Sequence, residues 1–251
     1  MPISVLMSTV EGMTYAESVA AKMEAERCAG YQRPDNEEQD VVFNNQNITF
    51  NQELYEENKF YRTTADYIRQ IENDELTDKQ KEELQEIRNS YLRNKNRYER
   101  ISQESGLIPP EVIAAIHYRE NATDFLNGDF KVYLHNGDSL GQESNKVPFP
   151  DLFGASQFSE AALDALRGWD GISNYKENRA QQLELTLDSK DLTAMVTFTG
   201  FYQGWQDEAN NYLYSGTSIY EGVRFDRDHH KTNGEDQNLG TYLVIKTLLE
   251  Q

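Results

Sequence analysis

The chain has 251 residues, with 24 Lys and Arg against 43 Asp and Glu, and a formal charge of -19 at neutral pH. So acidic a surface repels nucleic acid and anionic membranes, and neither is an expected partner. Cys28 is the only cysteine, which excludes an intrachain disulfide framework.

The length allows one large domain or two modest ones. Hydrophobic residues make up 37%, but 15 Tyr and 11 Phe supply large surfaces to bury, so the chain is expected to fold with a polar exterior. Residues 12–30, rich in Ala, Glu and Lys and stopped by Gly30, are expected to form a helix. Residues 31–51 are rich in Asn, Gln and Asp and form a long connection, ordered against a partner or carrying one strand. Helix returns from about Glu53 to Glu72 and breaks at Asn73-Asp74-Glu75. A new start at Thr77 pairs Thr77 with Gln80 as a capping box. In the helix that follows, Leu84, Ile87, Tyr91, Asn94, Tyr98 and Ile101 keep a 3-4 spacing. This seam suits a helical hairpin packed on itself, three heptads being short for a coiled coil. Ser105-Gly106 ends it, and the domain boundary is placed there, separating an N-terminal helical region (1–106) from a second domain (107–251).

Pro109 and Pro110 can open a helix, because the first turn makes no use of their missing N–H groups. It is expected to run to Glu120, with Val112, Ile113, Ala115 and Ile116 on an apolar side. Phe130 to Leu134 alternates, and Asn136-Gly137 is a strong hairpin signal. Residues 142–154, with Pro148 and Pro150, read as loop. Helices follow from Ser159, over Tyr175–Leu187, over Asp191–Phe198 (with Val196-Thr197-Phe198 ambiguous with strand) and over Thr241–Glu250. The fold class expected is mainly α, as α+β with one small β-hairpin.

Glu120 ends an apolar stripe. Burial of a carboxyl there disfavours its charged form and raises its pKa into the range of a general acid. The plainer alternatives are a solvated helix end or a pairing with Arg119 or His117. A hairpin just beyond offers Asp138 or Asp124 as a second carboxylate across a cleft, and two carboxyls facing one groove are suited to cleaving a glycosidic bond. Tyr202, Tyr212 and Tyr214 lie in a Gly- and aromatic-rich stretch, where rings serve either as core or as platforms for sugar faces.

These residues also carry a resemblance. His117-Tyr-Arg-Glu120, then Asp124-Phe125, then Leu134-His-Asn-Gly-Asp-Ser-Leu-Gly141 resembles the H-x-R-E-S, F, L-H-N-G-D-P-L core of phage and prophage lysozyme-like peptidoglycan hydrolases. Phe158–Leu166, Thr199–Tyr202 and Asn211–Thr217 with Tyr220 and Gly222 extend it in the same order, covering about Ile108 to the C-terminus. The resemblance implies a lysozyme-like fold in which Glu120 protonates the glycosidic oxygen of peptidoglycan. Attack by water would make the protein a lysozyme, attack by the substrate's own 6-hydroxyl a lytic transglycosylase. His135, Asn136, Tyr202, Tyr212 and Tyr214 would line the substrate, and His117 and Arg119 would support the acid. Asn121, Ser139 and Thr199 depart from the pattern where the family has Ser, Pro and Asn.

No cofactor is expected. A metal site joining His117 and Glu120 with His135 or His229-His230 lacks an H-E-x-x-H or paired-Cys spacing. No P-loop, dinucleotide fingerprint or Ser/His/Asp triad is evident. The N-terminus has neither the basic nor the apolar region of a signal peptide, and no run approaches a membrane span. The protein is therefore expected to be made in a bacterial host cytoplasm and to reach the wall in a phage particle or at lysis. The competing expectation is a virion structural protein, docked to other subunits through residues 1–106.

Overall fold

The computed structural model describes residues 48–141, 157–167, 175–204, 209–220, 222–225, 231–234 and 236–250. The helix expected over 12–30, the 31–47 part of the connection and the 142–154 loop lie outside them. The chain from Val42 to Gln251 forms one compact unit.

Two asparagines start the first helices. The Asn51 side chain accepts the Leu54 N–H to open α1 (Gln52–Glu57), and Asn58 accepts the N–H groups of Phe60 and Tyr61 to open α2 (Lys59–Ile71). Asn58 is extended, so the single helix expected over 53–72 is divided there. Thr77 and Gln80 form the reciprocal capping box of α3 (Asp78–Ser105), and Gly106 ends it in a left-handed conformation.

The seam of α3 is buried at Leu84, Ile87, Tyr91, Tyr98 and Ile101. Its partner is not a hairpin copy of itself. It packs against α4 (Pro110–Glu120), which Pro109 and Pro110 open as expected. Every residue of α4 from Glu111 to Tyr118 is buried, because α3, α5 (Ala122–Asn127), α8 (Leu192–Gln203) and α10 (Thr241–Leu249) surround it. The single apolar stripe read from the sequence is thus part of a helix enclosed all round. Even Glu111 is enclosed, with the Tyr91 hydroxyl at 3.3 Å and Lys190 Nζ at 3.7 Å. Residue 106 lies in a turn between packed neighbours, and the helices on its two sides share one core.

Beyond α5 come α6 (Phe158–Arg167), α7 (Tyr175–Gln182), α8 and α9 (Asn211–Tyr214). The α7 helix stops short of Leu187, and Glu184 just after it takes a φ of 53°. The ambiguous Val196-Thr197-Phe198 is helical. The hydroxyls of Thr197 and Thr199 bond back to the carbonyls of Thr193 and Val196, which satisfies them inside the helix. Strands β1 (Val223–Phe225) and β2 (Lys231–Asn233) pair antiparallel with Arg224 opposite Thr232. No sequence signal had marked them.

The Asn136-Gly137 hairpin is reduced to one antiparallel bridge, Val132 with Ser139. The Tyr133 N–H donates to the Asp138 carbonyl, so four residues form the loop. Of the Asn-Gly pair only Gly137 has a positive φ, which a two-residue type I′ turn would require of both. Among the described residues, no helix is long and apolar enough to cross a membrane.

Candidate active site

Glu120 is the last residue of α4. Asn121 is extended and caps α5 by accepting the Asp124 N–H, so the chain turns sharply just after the acid. Glu120 is half-buried, and burial pushes its carboxyl up to about 7, against the opposing pull of the Tyr212 hydroxyl and the charges of Arg119 and Lys176.

The Tyr212 hydroxyl donates to Glu120 Oε1 at 3.1 Å. Asn210 caps the short helix that carries Tyr212, and the Arg119 guanidinium lies 5.1 Å from the ring centroid. Arg119 in turn donates to Asp236 at 2.7 Å and to the carbonyls of Asn238 and Leu239. Asn211 reaches the same Asp236 oxygen. Burial alone would raise the Asp236 carboxyl, but Arg119 and Asn211 outweigh it and hold it below the usual range. Arg119 therefore supports the acid through Tyr212 and the Asp236 loop. Because the Tyr212 hydroxyl favours the ionised form of Glu120, Tyr212→Phe is expected to raise the Glu120 pKa above about 7. Titration of Glu120 by NMR in the two proteins checks the direction, and an unchanged or lower value contradicts the bond's role.

The 134–137 turn presses on the same place. A Cβ at Gly137 would collide with the Glu120 carbonyl oxygen, and the residue already sits at φ +71°. Gly137→Ala is expected to destabilise the fold by about 1–3 kcal/mol through strain and displacement of the helix end. Urea titration measures it, and a loss under 0.5 kcal/mol, on the scale of ordinary surface changes, would show that the contact is relaxed easily.

On the other side, Tyr202 donates from its hydroxyl to the Leu134 carbonyl at 2.6 Å. Lys176 Nζ lies 3.7 Å from the centre of the Tyr202 ring and donates to the Ala165 carbonyl at 2.8 Å. The Lys176 side chain is enclosed, and burial pushes its ammonium down to about 7, opposed by Glu120 and Asp164. His135 Nε2 sits 3.1 Å from Asp164 Oδ2. The site is thus a carboxyl at a helix end, walled by two tyrosines and a buried lysine.

The other expected residues have different places. Asp124 accepts the His117 Nε2–H at 2.8 Å and the Lys131 N–H at 3.0 Å, and His117 Nδ1 meets the Tyr98 hydroxyl at 2.8 Å. Burial alone would raise Asp124, but these donors hold it low. Burial of His117 pushes the imidazole down. This chain ties α3, α4 and α5 together inside the core, so Asp124 and His117 serve packing. Asp138 is exposed and receives the Asn136 amide at 2.9 Å within the turn. Tyr214 is fully buried and packs edge-on to Tyr67 at 5.4 Å, a core position with no face for a sugar.

A polar cavity lined by Thr49, Asn51, Glu184, Lys190 and Asp191 shares no residue with this cluster. Its groups satisfy one another, as Asn51 with Glu184 at 2.8 Å and the Thr49 N–H with the Lys190 carbonyl. The chemistry around Glu120 makes that cluster the stronger candidate. Among the described residues no three His, Cys, Asp or Glu side chains group so as to hold a metal ion.

Sequence reading missed Asp164, Lys176, Asn211 and Asp236. Asp164 follows Ala161 by three and precedes Ala165, both fully buried, so a carboxylate bordering a buried face was visible in outline. Lys176 sits in YKENRAQQ, where nothing separates it from a solvated lysine. Comparison of the chain with models of protein families, with curated proteins and with solved structures finds no match.

Proposed function

We propose that this protein is a glycosidase that cleaves the glycan strand of bacterial peptidoglycan, with Glu120 as the general acid. The observation that carries this is a half-buried carboxyl at a helix end, pushed up to about 7 and held by Tyr212. Such a group is protonated in about half of the molecules at pH 7 and can deliver that proton to a leaving glycosidic oxygen as the C–O bond breaks. Tyr212 and Arg119 fix its position, and the turn at Gly137 sets the wall beside it. The resemblance of the 117–141 and 158–222 motifs to phage lysozyme-like hydrolases supplies the substrate class. It also supplies a place of action, the cell wall at lysis or at entry.

A second reading is a phage virion module in which a lysozyme-like domain has little activity. The charge of -19 favours it, because acidic wall polymers repel such a surface. In that reading α1, α2 and α3 are already committed to the core, so docking to other subunits falls to their outer faces and to the segment before residue 48.

Loss of turbidity and fragment masses from purified peptidoglycan, for wild type and Glu120→Gln, test the proposal. Wild-type cleavage lost in the variant supports it. An inactive wild type with its fold intact overturns it in favour of the virion module.

A further inference from the structure

The expected second carboxylates, Asp124 and Asp138, are occupied elsewhere, and a different one borders the site. Four contacts close a ring beside it, and a fifth joins the backbone of Glu120 to that ring. Gly137 abuts the Glu120 carbonyl, and the Leu134 carbonyl of the same turn accepts the Tyr202 hydroxyl. Lys176 lies over the Tyr202 ring and bonds the Ala165 carbonyl, and Asp164, the neighbour of Ala165, meets His135 of the turn. The charges of Glu120 and Asp164 both act on Lys176 and on Tyr202, so both carboxyls lie within electrostatic range of one lysine and one tyrosine.

Inside this ring three polar atoms lack hydrogen bonds. The His135 side chain is 2% exposed, yet neither ring nitrogen has a hydrogen-bond partner. Asp164 Oδ2 is equally unsatisfied, since its 3.1 Å approach to His135 Nε2 is not aligned for a bond. Buried polar atoms without partners carry a desolvation penalty of roughly 1–3 kcal/mol each. Here they cluster at one spot, where a water or substrate hydroxyl would satisfy an imidazole and a carboxylate together. The Asp164 side chain is 25% exposed, so one edge of it is reachable from solvent.

We propose that Asp164 is the second catalytic carboxylate, acting as general base on the attacking water, with His135 as the residue that positions it. This assignment rests on the glycosidase reading. The water oxygen attacks the anomeric carbon and forms the new C–O bond while its proton passes to Asp164. The old C–O bond breaks, its electron pair stays with the leaving oxygen, and Glu120 supplies that oxygen's proton. Afterwards Asp164 returns its proton to solvent and Glu120 recovers one. The products are a hemiacetal and an alcohol, whereas internal attack by a 6-hydroxyl would leave an anhydro sugar.

The test compares wild type, Glu120→Gln, Asp164→Asn and Asp164→Ala on solubilised peptidoglycan strands, with thermal melting as a fold control. Asp164→Asn is expected to lose kcat about 100-fold or more with KM nearly unchanged. Sodium azide is expected to restore turnover in Asp164→Ala by replacing the missing anion, and wild-type fragments are expected to end in reducing sugars. Asp164→Asn within threefold of wild type, a loss confined to KM, no azide effect, or anhydro products would overturn the assignment while leaving Glu120 as the acid. An inactive wild type removes the glycosidase reading and this inference with it.

Discussion

Glu120→Gln is expected to lower the rate of glycan cleavage by about 100- to 10,000-fold while leaving the fold intact. Gln keeps the size of the side chain and an oxygen for the Tyr212 hydroxyl, but has no acidic proton to give. The pH profile makes the test specific. With a carboxyl pushed up to about 7, wild-type activity should be insensitive to this group at acid pH and fall tenfold per unit above about pH 7. The same group carries a stability signature that also declines with rising pH. In the unfolded chain its proton leaves near 4.5, in the folded protein near 7. Folding is therefore favoured by proton uptake. That contribution is whole below about 4.5 and declines as the pH rises to about 7. Glu120→Gln removes the penalty of burying a charge, so at pH 8 the inactive variant should melt above wild type. Loss of activity with a lower melting temperature at pH 8 would mean that Glu120 acts by holding the structure. Retained activity would end its role as acid.

The helices of the core were legible in the sequence wherever a local signal decides the matter. The Thr77 and Gln80 capping box, the Gly106 stop and the Pro109-Pro110 start each act through their nearest backbone groups, and each forms as its chemistry dictates. The partner of the α3 seam was not legible, because a 3-4 spacing states which face is buried and is silent on what covers it. Here α4 covers it, which removes any division at residue 106. Asn136-Gly137 shows the limit of a turn signal: the contact of Gly137 with the Glu120 carbonyl and the bond from Tyr133 to Asp138 set a four-residue loop instead. At the site, Glu120 stood out because it ends a run of apolar residues. Lys176 and Asp164 did not, since their burial beside it arises from helices about 40 and 55 residues downstream in sequence. Asp124 looked like Glu120's companion for the same local reason that makes it structural, since it lies one turn of chain away and faces His117.

Asp124 therefore predicts the largest stability effect. Asp124→Ala is expected to lower the unfolding free energy by about 2–6 kcal/mol, the cost of leaving two buried donors without their acceptor. The change leaves the His117 Nε2–H and the Lys131 N–H without their acceptor, in a core where His117 is fully enclosed between Phe125, Phe130 and Phe158. The pH dependence follows from the two depressed groups. Asp124 is held below its ordinary 3.8, so its contribution is present above that value and is lost as the pH falls through it to the folded pKa. His117 is held below 6.5 by burial, and its contribution is likewise whole above 6.5 and lost on acidification. The contribution of this pair should thus fade from about pH 6 downward, and the difference between wild type and Asp124→Ala should shrink below pH 4. Urea denaturation between pH 3 and 8 measures both. Asp124→Asn, which keeps an oxygen to accept one of the two bonds, should be destabilised less and retain glycan cleavage once folded. Should it instead be as stable as wild type but inactive, Asp124 belongs to the chemistry and the tie between α3, α4 and α5 is of secondary weight.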